Sequence, residues 1–192
     1  MIPITVKKLV SADLVKFILT EIRLIRDCLH YVDPKFNTLD DVLTTHYSLL
    51  SSETLCKMFT ARIENNLGLK LLPTFSLVEY ANKSATIPSR VGRSSSEISV
   101  ICCLEGHWPL TIDQQEIILE PGDVCIYTGS ESSYKRNPLI GDSSVSIILN
   151  YVNAAGDLNH LALDTRPVLG AAISTAAPVV MAEQASLGIS IR

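Results

Sequence analysis

EISVICCL (97–104), WPLTI (108–112), QEIIL (115–119), EPGD (120–123), VCIYTGSESSYKR (124–136) and VSIILNYV (145–152) follow one another along residues 97–152. The apolar runs are short, rich in β-branched and aromatic residues, and separated by turn residues, which predicts an antiparallel β-sandwich or small barrel. Glu120-Pro121-Gly122-Asp123 is the sharpest turn, because proline presets φ at its second position and glycine accepts a positive φ at its third. It is expected to join a strand at Gln115–Leu119 to one at Val124–Thr128. Asp113-Gln114 is expected to make a tight connection before Gln115, and Ser144–Val152 is the last strong strand.

Upstream, LLPTFSLVEY (71–80) reads as a strand and residues 81–96 as a long polar loop. A helix opens at Ser51 or Ser52, buries Leu55, Phe59 and Ile63, and stops at Gly68, which stands where a C′ glycine belongs. Thr38 to Asp41 has the form of a capping box and predicts a short helix running toward Leu50. An earlier amphipathic helix is capped by Ser11, with Asp13 in its first turn. Its apolar stripe is Leu14, Phe17, Ile18, Ile22, Ile25 and Leu29, and Asp33-Pro34 ends it. Ile2 to Val6 predicts a short edge strand. The chain therefore reads as one domain over residues 1–157, helical over 1–70 and β over 71–157, with an Ala-rich extension over 158–192.

Of the 192 residues, 47% are hydrophobic and 19% charged, which excludes a disordered chain. The net charge of −4, with Lys and Arg scattered, excludes a nucleic-acid footprint and a basic patch for membranes. The N-terminal residues lack the apolar block of a signal peptide, and AAISTAAPVVMA (171–182) is too short to span a bilayer. Cys28, Cys56, Cys102, Cys103 and Cys125 are odd in number and contain no C-x-x-C pair, so they are expected to be reduced, in a cytoplasmic protein.

The order of these features resembles the Fe(II)- and 2-oxoglutarate-dependent oxygenases, in particular small bacterial proteins of the prolyl-hydroxylase type. The residues carrying the resemblance are Leu72-Pro73-Thr74-Phe75-Ser76, Arg93 followed by Glu97-Ile98-Ser99-Val100, Trp108-Pro109, and Leu119-Glu120-Pro121-Gly122-Asp123. Ile126-Tyr127-Thr128-Gly129, Glu131, Arg136 and Tyr151-Val152 complete it, so it covers about residues 50–157. It implies an α+β protein: a double-stranded β-helix (jelly-roll) core with helices packed on one sheet. It also implies an iron site of two histidines and one carboxylate.

The positions that the resemblance assigns to those ligands are occupied by Arg90, Gly92 and Tyr134. Arginine has no lone pair to donate, glycine has no side chain, and one tyrosine does not hold Fe(II). The resemblance also implies a cation for 2-oxoglutarate near Ser143–Ser146, where there is none. Asn150 and Glu79 stand where relatives often have His and Arg. His30, His46, His107 and His160 lie far apart in sequence, at no ligand spacing. No metal and no cofactor are expected.

Three readings follow. The first is a pseudo-oxygenase that binds a small anionic or peptide-like ligand, or a partner in a homo- or hetero-oligomer. The second is a metal-independent isomerase, cyclase or lyase of secondary metabolism. There Arg90 stabilises negative charge and Tyr134 or Glu131 moves a proton. The third is an active oxygenase whose ligands lie elsewhere. Arg93 and Arg136 are expected at the cavity rim as ligand-binding groups, and Arg90 is expected either to bind an anion or to pair with an acid such as Glu131.

Overall fold

The computed structural model describes residues 2–32 and 42–170. It contains β1 (Ile4–Val6), α1 (Ala12–Val32), β2 (Leu43–Tyr47), α2 (Leu50–Leu67), β3 (Leu71–Asn82), β4 (Ile87–Arg90), β5 (Ile98–Glu105), β6 (Leu110–Ile112), β7 (Gln115–Ile117), β8 (Val124–Tyr127), β9 (Tyr134–Arg136) and β10 (Ser143–Asn153). A 3₁₀ turn at Ser94–Ser96 precedes β5, and another at Asn159–Thr165 follows β10. The strands form a six-stranded sheet, β1-β8-β5-β10-β3-β2, and a four-stranded sheet, β4-β9-β6-β7.

Period-2 alternation divides the apolar residues between two cores. Val100, Cys102 and Leu104 of β5, with Val145, Ile147 and Leu149 of β10, pack with Ile18, Ile22, Leu55, Phe59 and Ile63 of the helices. Ile101, Cys103 and Ile148 point the other way and meet Leu110, Ile112 and Tyr134 of the smaller sheet. Both faces of β5 and β10 are covered, which explains why these two strands are near-continuous apolar runs.

The PGD turn works as expected and also fastens β1. Gly122 has φ +90°, and a Cβ there would lie 2.5 Å from the Val10 carbonyl oxygen. The buried Asp123 carboxylate accepts from Lys7 Nζ at 2.8 Å, the Lys8 amide at 3.0 Å and the Glu120 amide at 3.1 Å. Burial pushes this carboxyl up, but those hydrogen bonds and the Lys7 charge outweigh it and hold it below the usual aspartate range. Asp113 and Gln114 both have positive φ, the backbone of the tight β6–β7 hairpin.

Several expectations are corrected. The segment before Leu50 is a strand, β2, antiparallel to β3, rather than a helix. Its β-branched Thr44 and Thr45 suit the open edge of β3 better than a helix; Thr38–Asp41 themselves lie outside the described residues, as does Pro34. The polar loop contains β4. In α1 the buried stripe is Val15, Ile18 and Ile22, while Phe17 is 66% exposed. Ser11 caps α1 through a 3.4 Å bond from the Leu14 amide, but α2 has no side-chain cap. Instead the buried Ser52 hydroxyl donates to the Leu49 carbonyl at 2.9 Å.

Residues 158–170 run over the helical side of β3. Buried Arg166 forms a two-pronged pair with buried Glu53 of α2, at 2.8 Å and 3.2 Å, and donates to the Thr74 carbonyl at 2.8 Å. Among the described residues no helix is long and apolar enough to cross a membrane.

Candidate functional site

The site lies where β3, β4, β5, β8, β9 and β10 converge. Arg90 and Tyr134 are direct cross-strand partners on β4 and β9. They share a cleft of about 230 Å³ with Gly92, Arg93, Phe75, Tyr127, Ser99 and Asn150. Arg90, Gly92 and Tyr134 therefore lie together in space.

What fills this place is a chain of hydrogen bonds. Arg136 Nε donates to the Tyr134 hydroxyl at 2.8 Å, Tyr134 donates to Glu79 Oε2 at 3.3 Å, and Arg90 NH2 donates to Glu79 Oε1 at 3.0 Å. Arg136 also donates to the Trp108 carbonyl at 2.7 Å and to Ser146 Oγ at 3.2 Å. Glu79, Tyr134 and Arg136 are each at most 4% exposed, whereas the Arg90 side chain is 52% exposed. Burial, and the neighbouring Glu79, push the Tyr134 phenol well above its ordinary value. For Arg136 burial acts downward, but the adjoining Tyr134 and Glu79 outweigh it and secure the charge.

Arg90 therefore has an acid partner, as expected, but it is Glu79 and not Glu131. Glu131 is exposed in the turn after β8 and does not line the cleft. Arg136 is corrected from a rim group to a buried one behind Tyr134. Arg93 is at the rim: its guanidinium lies 3.9 Å over the Phe75 ring and its NH2 donates to Asp164 Oδ2 at 2.7 Å. Ser99 and Asn150 join through a 2.8 Å bond at the cleft floor. Glu97 accepts from the Asn153 amide at 2.8 Å, a structural role.

The donors present do not fit Fe(II). The Tyr134 phenol is held protonated between Arg136 and Glu79, and Arg90 donates rather than accepts. At Gly92 a Cβ would lie 2.7 Å from the Gly129 carbonyl oxygen, which accepts from the Gly92 amide at 2.8 Å. Even the first atom of an aspartate has no room there without a backbone shift. Among the described residues no three His, Cys, Asp or Glu side chains gather as a metal site. His46 lies on β2, His107 sits 3.5 Å from Glu120, and His160 is exposed against the Asp157 carbonyl; the His30 side chain lies outside the described residues.

Sequence reasoning missed Glu79 as the pivot, and the aromatic walls. A signal existed: Glu79 is the one charged residue in the apolar run LLPTFSLVEYA, on a strand covered by both cores. Tyr47 stacks on Phe75 and Tyr127 on Tyr134, with ring centroids 6.3 Å and 6.4 Å apart. A larger groove of about 850 Å³ lies between α2, Pro73 and Leu163–Leu169, away from these residues.

No family model and no curated protein matches the chain by sequence. Solved structures match it by shape. A viral collagen prolyl hydroxylase from Paramecium Bursaria Chlorella virus-1 superimposes with a TM-score of 0.59 at 7% identity, over 79% of this chain and 95% of that one. A Pseudomonas putida prolyl-4-hydroxylase gives 0.55 at 16% identity, over 79% and 92%. SnoN, the non-heme alpha ketoglutarate dependent epimerase from nogalamycin biosynthesis, gives 0.61 at 13% identity, over 88% and 86%. The chain thus has the double-stranded β-helix fold of the 2-oxoglutarate oxygenases, an α+β arrangement with helices on the larger sheet.

Proposed function

We propose that this chain is a pseudo-oxygenase: it uses the oxygenase fold as a scaffold to bind a small anionic ligand, without iron and without 2-oxoglutarate turnover. The observation that supports this best is the Arg136–Tyr134–Glu79–Arg90 hydrogen-bond chain, which includes Arg90 and Tyr134, two of the three positions that the resemblance assigns to the iron ligands. Two arginines and one glutamate leave the cluster with one net positive charge, and half-exposed Arg90 faces the cleft with its remaining donors. At about 230 Å³ the cleft lies below the usual range of roughly 300–1,000 Å³ for drug-sized ligands, which favours a small anion over a peptide.

Metal-free catalysis is weaker as a reading. It needs a proton mover facing the ligand, yet the Tyr134 hydroxyl is committed to Arg136 and Glu79, and Glu131 points elsewhere. The SnoN epimerase of nogalamycin biosynthesis shares the fold, and on that likeness we extend the proposal to a place in secondary metabolism.

The test is metal analysis of the purified protein, followed by incubation with Fe(II), ascorbate and 2-oxoglutarate. Less than a tenth of an equivalent of metal (on the order of background for a site without ligands) and no succinate are expected. One equivalent of iron with succinate release overturns the proposal.

A further inference from the structure

Resting on that reading, we propose that the ligand is a small aromatic carboxylate, whose carboxylate takes the place of Asp164 on Arg93. The cleft is lined by Tyr47, Phe75, Tyr127 and Tyr134, with Leu77 and Ile148 between them. Its volume of about 230 Å³ holds roughly eight waters at about 30 Å³ each, which is the scale of one substituted six-membered ring. Flat aromatic walls favour a ring that can stack or meet them edge-on. The floor offers polar groups, the Ser99–Asn150 pair, for a ring substituent.

The charged end is decided by the two arginines. Arg90 and Arg93 both line the cleft, with side chains 52% and 48% exposed. Each guanidinium carbon lies over an aromatic ring, that of Arg90 5.6 Å from the Tyr134 centroid and that of Arg93 3.9 Å from the Phe75 centroid. The planar guanidinium fork matches a carboxylate.

Arg93 already holds one. Asp164 Oδ2 accepts from Arg93 NH2 at 2.7 Å, so the chain itself shows that a carboxylate reaches this guanidinium. The Asp164 backbone is poised for displacement, because Leu163, Asp164 and Thr165 are three successive non-glycine residues with φ of 56°, 52° and 61°. L-residues avoid such a left-handed run, so giving up the Arg93 contact lets this segment relax. The buried Arg166–Glu53 pair next to it keeps the rest of the strap in place.

The test is calorimetric titration of the full chain with 4-hydroxybenzoate, 4-hydroxybenzamide and 2-oxoglutarate. 4-Hydroxybenzoate is expected to bind one-to-one with a dissociation constant on the order of 0.1–1 mM, as suits a ten-atom ligand. The neutral amide is expected to bind at least about tenfold more weakly, in line with one lost charge-assisted contact. Arg93→Gln is expected to weaken the acid by a similar factor. Asp164→Asn, which removes the internal competitor, is expected to tighten it severalfold. Asp164→Asn also serves if Arg93→Gln fails to fold.

Equal binding of acid and amide overturns the inference, as does an Asp164→Asn variant with unchanged affinity. Tighter binding of 2-oxoglutarate than of 4-hydroxybenzoate sinks the aromatic assignment and leaves the scaffold reading standing. Iron uptake with succinate release sinks the scaffold reading itself.

Discussion

Replacing Gly92 by alanine tests the central geometric argument, that the backbone has closed over a position the resemblance assigns to a metal ligand. An added Cβ would meet Gly129 O at 2.7 Å, Ser96 Cβ at 3.1 Å and Gly129 C at 3.2 Å. Two of these three are backbone atoms, pinned by the 2.8 Å bond from the Gly92 amide to Gly129 O. The Gly129 side is equally tight, since a Cβ there would lie 2.1 Å from Ser99 Oγ. Relief therefore requires the two backbone segments to move apart, and overpacking of this kind costs about 1–3 kcal/mol. For a chain of 192 residues each kcal/mol shifts Tm by about 2–4 °C, so Gly92→Ala is expected to melt about 2–12 °C lower. Gly141→Ala is the control, because its Cβ would meet only Leu139 Cδ1, at 3.9 Å. There the loss of unfolded-state freedom predicts a small gain of about 0.4–1 kcal/mol. Thermal melts by circular dichroism separate the two. The triple change Arg90→His, Gly92→Asp, Tyr134→His is further expected to bind no Co(II), because the aspartate carries the same steric conflict. Equal melting of Gly92→Ala and Gly141→Ala, or stoichiometric Co(II) in the triple variant, would show that the backbone at Gly92 has room for a side chain.

Three further outcomes follow from other parts of the fold. Arg166→Met is expected to lower stability by about 3–5 kcal/mol in chemical denaturation, because it strands the Glu53 carboxylate, itself 1% exposed; the double variant with Glu53→Leu is expected to recover much of that loss. Asp123 has a depressed folded-state pKa relative to its ordinary 3.8. Its stabilisation is thus fully present above about pH 4 and lost as pH falls through the folded value, so an acid titration of Asp123→Asn is expected to lack that part of the wild-type loss. Burial pushes the thiols of Cys56 and Cys125 up to about 12 and that of Cys103 to about 11, and Cys102 higher still, while Cys28 is exposed. Ellman's reagent at pH 8 is therefore expected to titrate one thiol rapidly in the native protein and five after denaturation.

Much of the fold was legible in the chain because its signals are local. The PGD turn depends on the φ preferences of two neighbouring residues, and it forms where it was expected. The β5 and β10 runs announce strands covered on both faces, and Gly68 ends α2 with φ 67°. Where local signals compete with pairing they fail. A helix-cap pattern at Thr38–Asp41 does not make residues 43–47 helical, since the edge of β3 offers five residues of ladder to pair with. In α1 the sheet buries Val15 along with Ile18 and Ile22 and leaves Phe17 of the expected stripe exposed.

For the site, an arginine, a glycine and a tyrosine at the expected iron positions, with no histidine at a ligand spacing nearby, are legible directly in the chain. The surroundings of Arg90 and Tyr134 depend on how the strands pack. The partner of Arg90 is Glu79, eleven residues earlier and on the other sheet, while Glu131 faces solvent. Arg136 turns inward because β9 alternates, so that Tyr134 and Arg136 share the buried face and Lys135 takes the exposed one. Arg93 meets Asp164 across 71 positions of chain. Such pairings arise from strand register and packing between sheets, and no spacing along the chain encodes them.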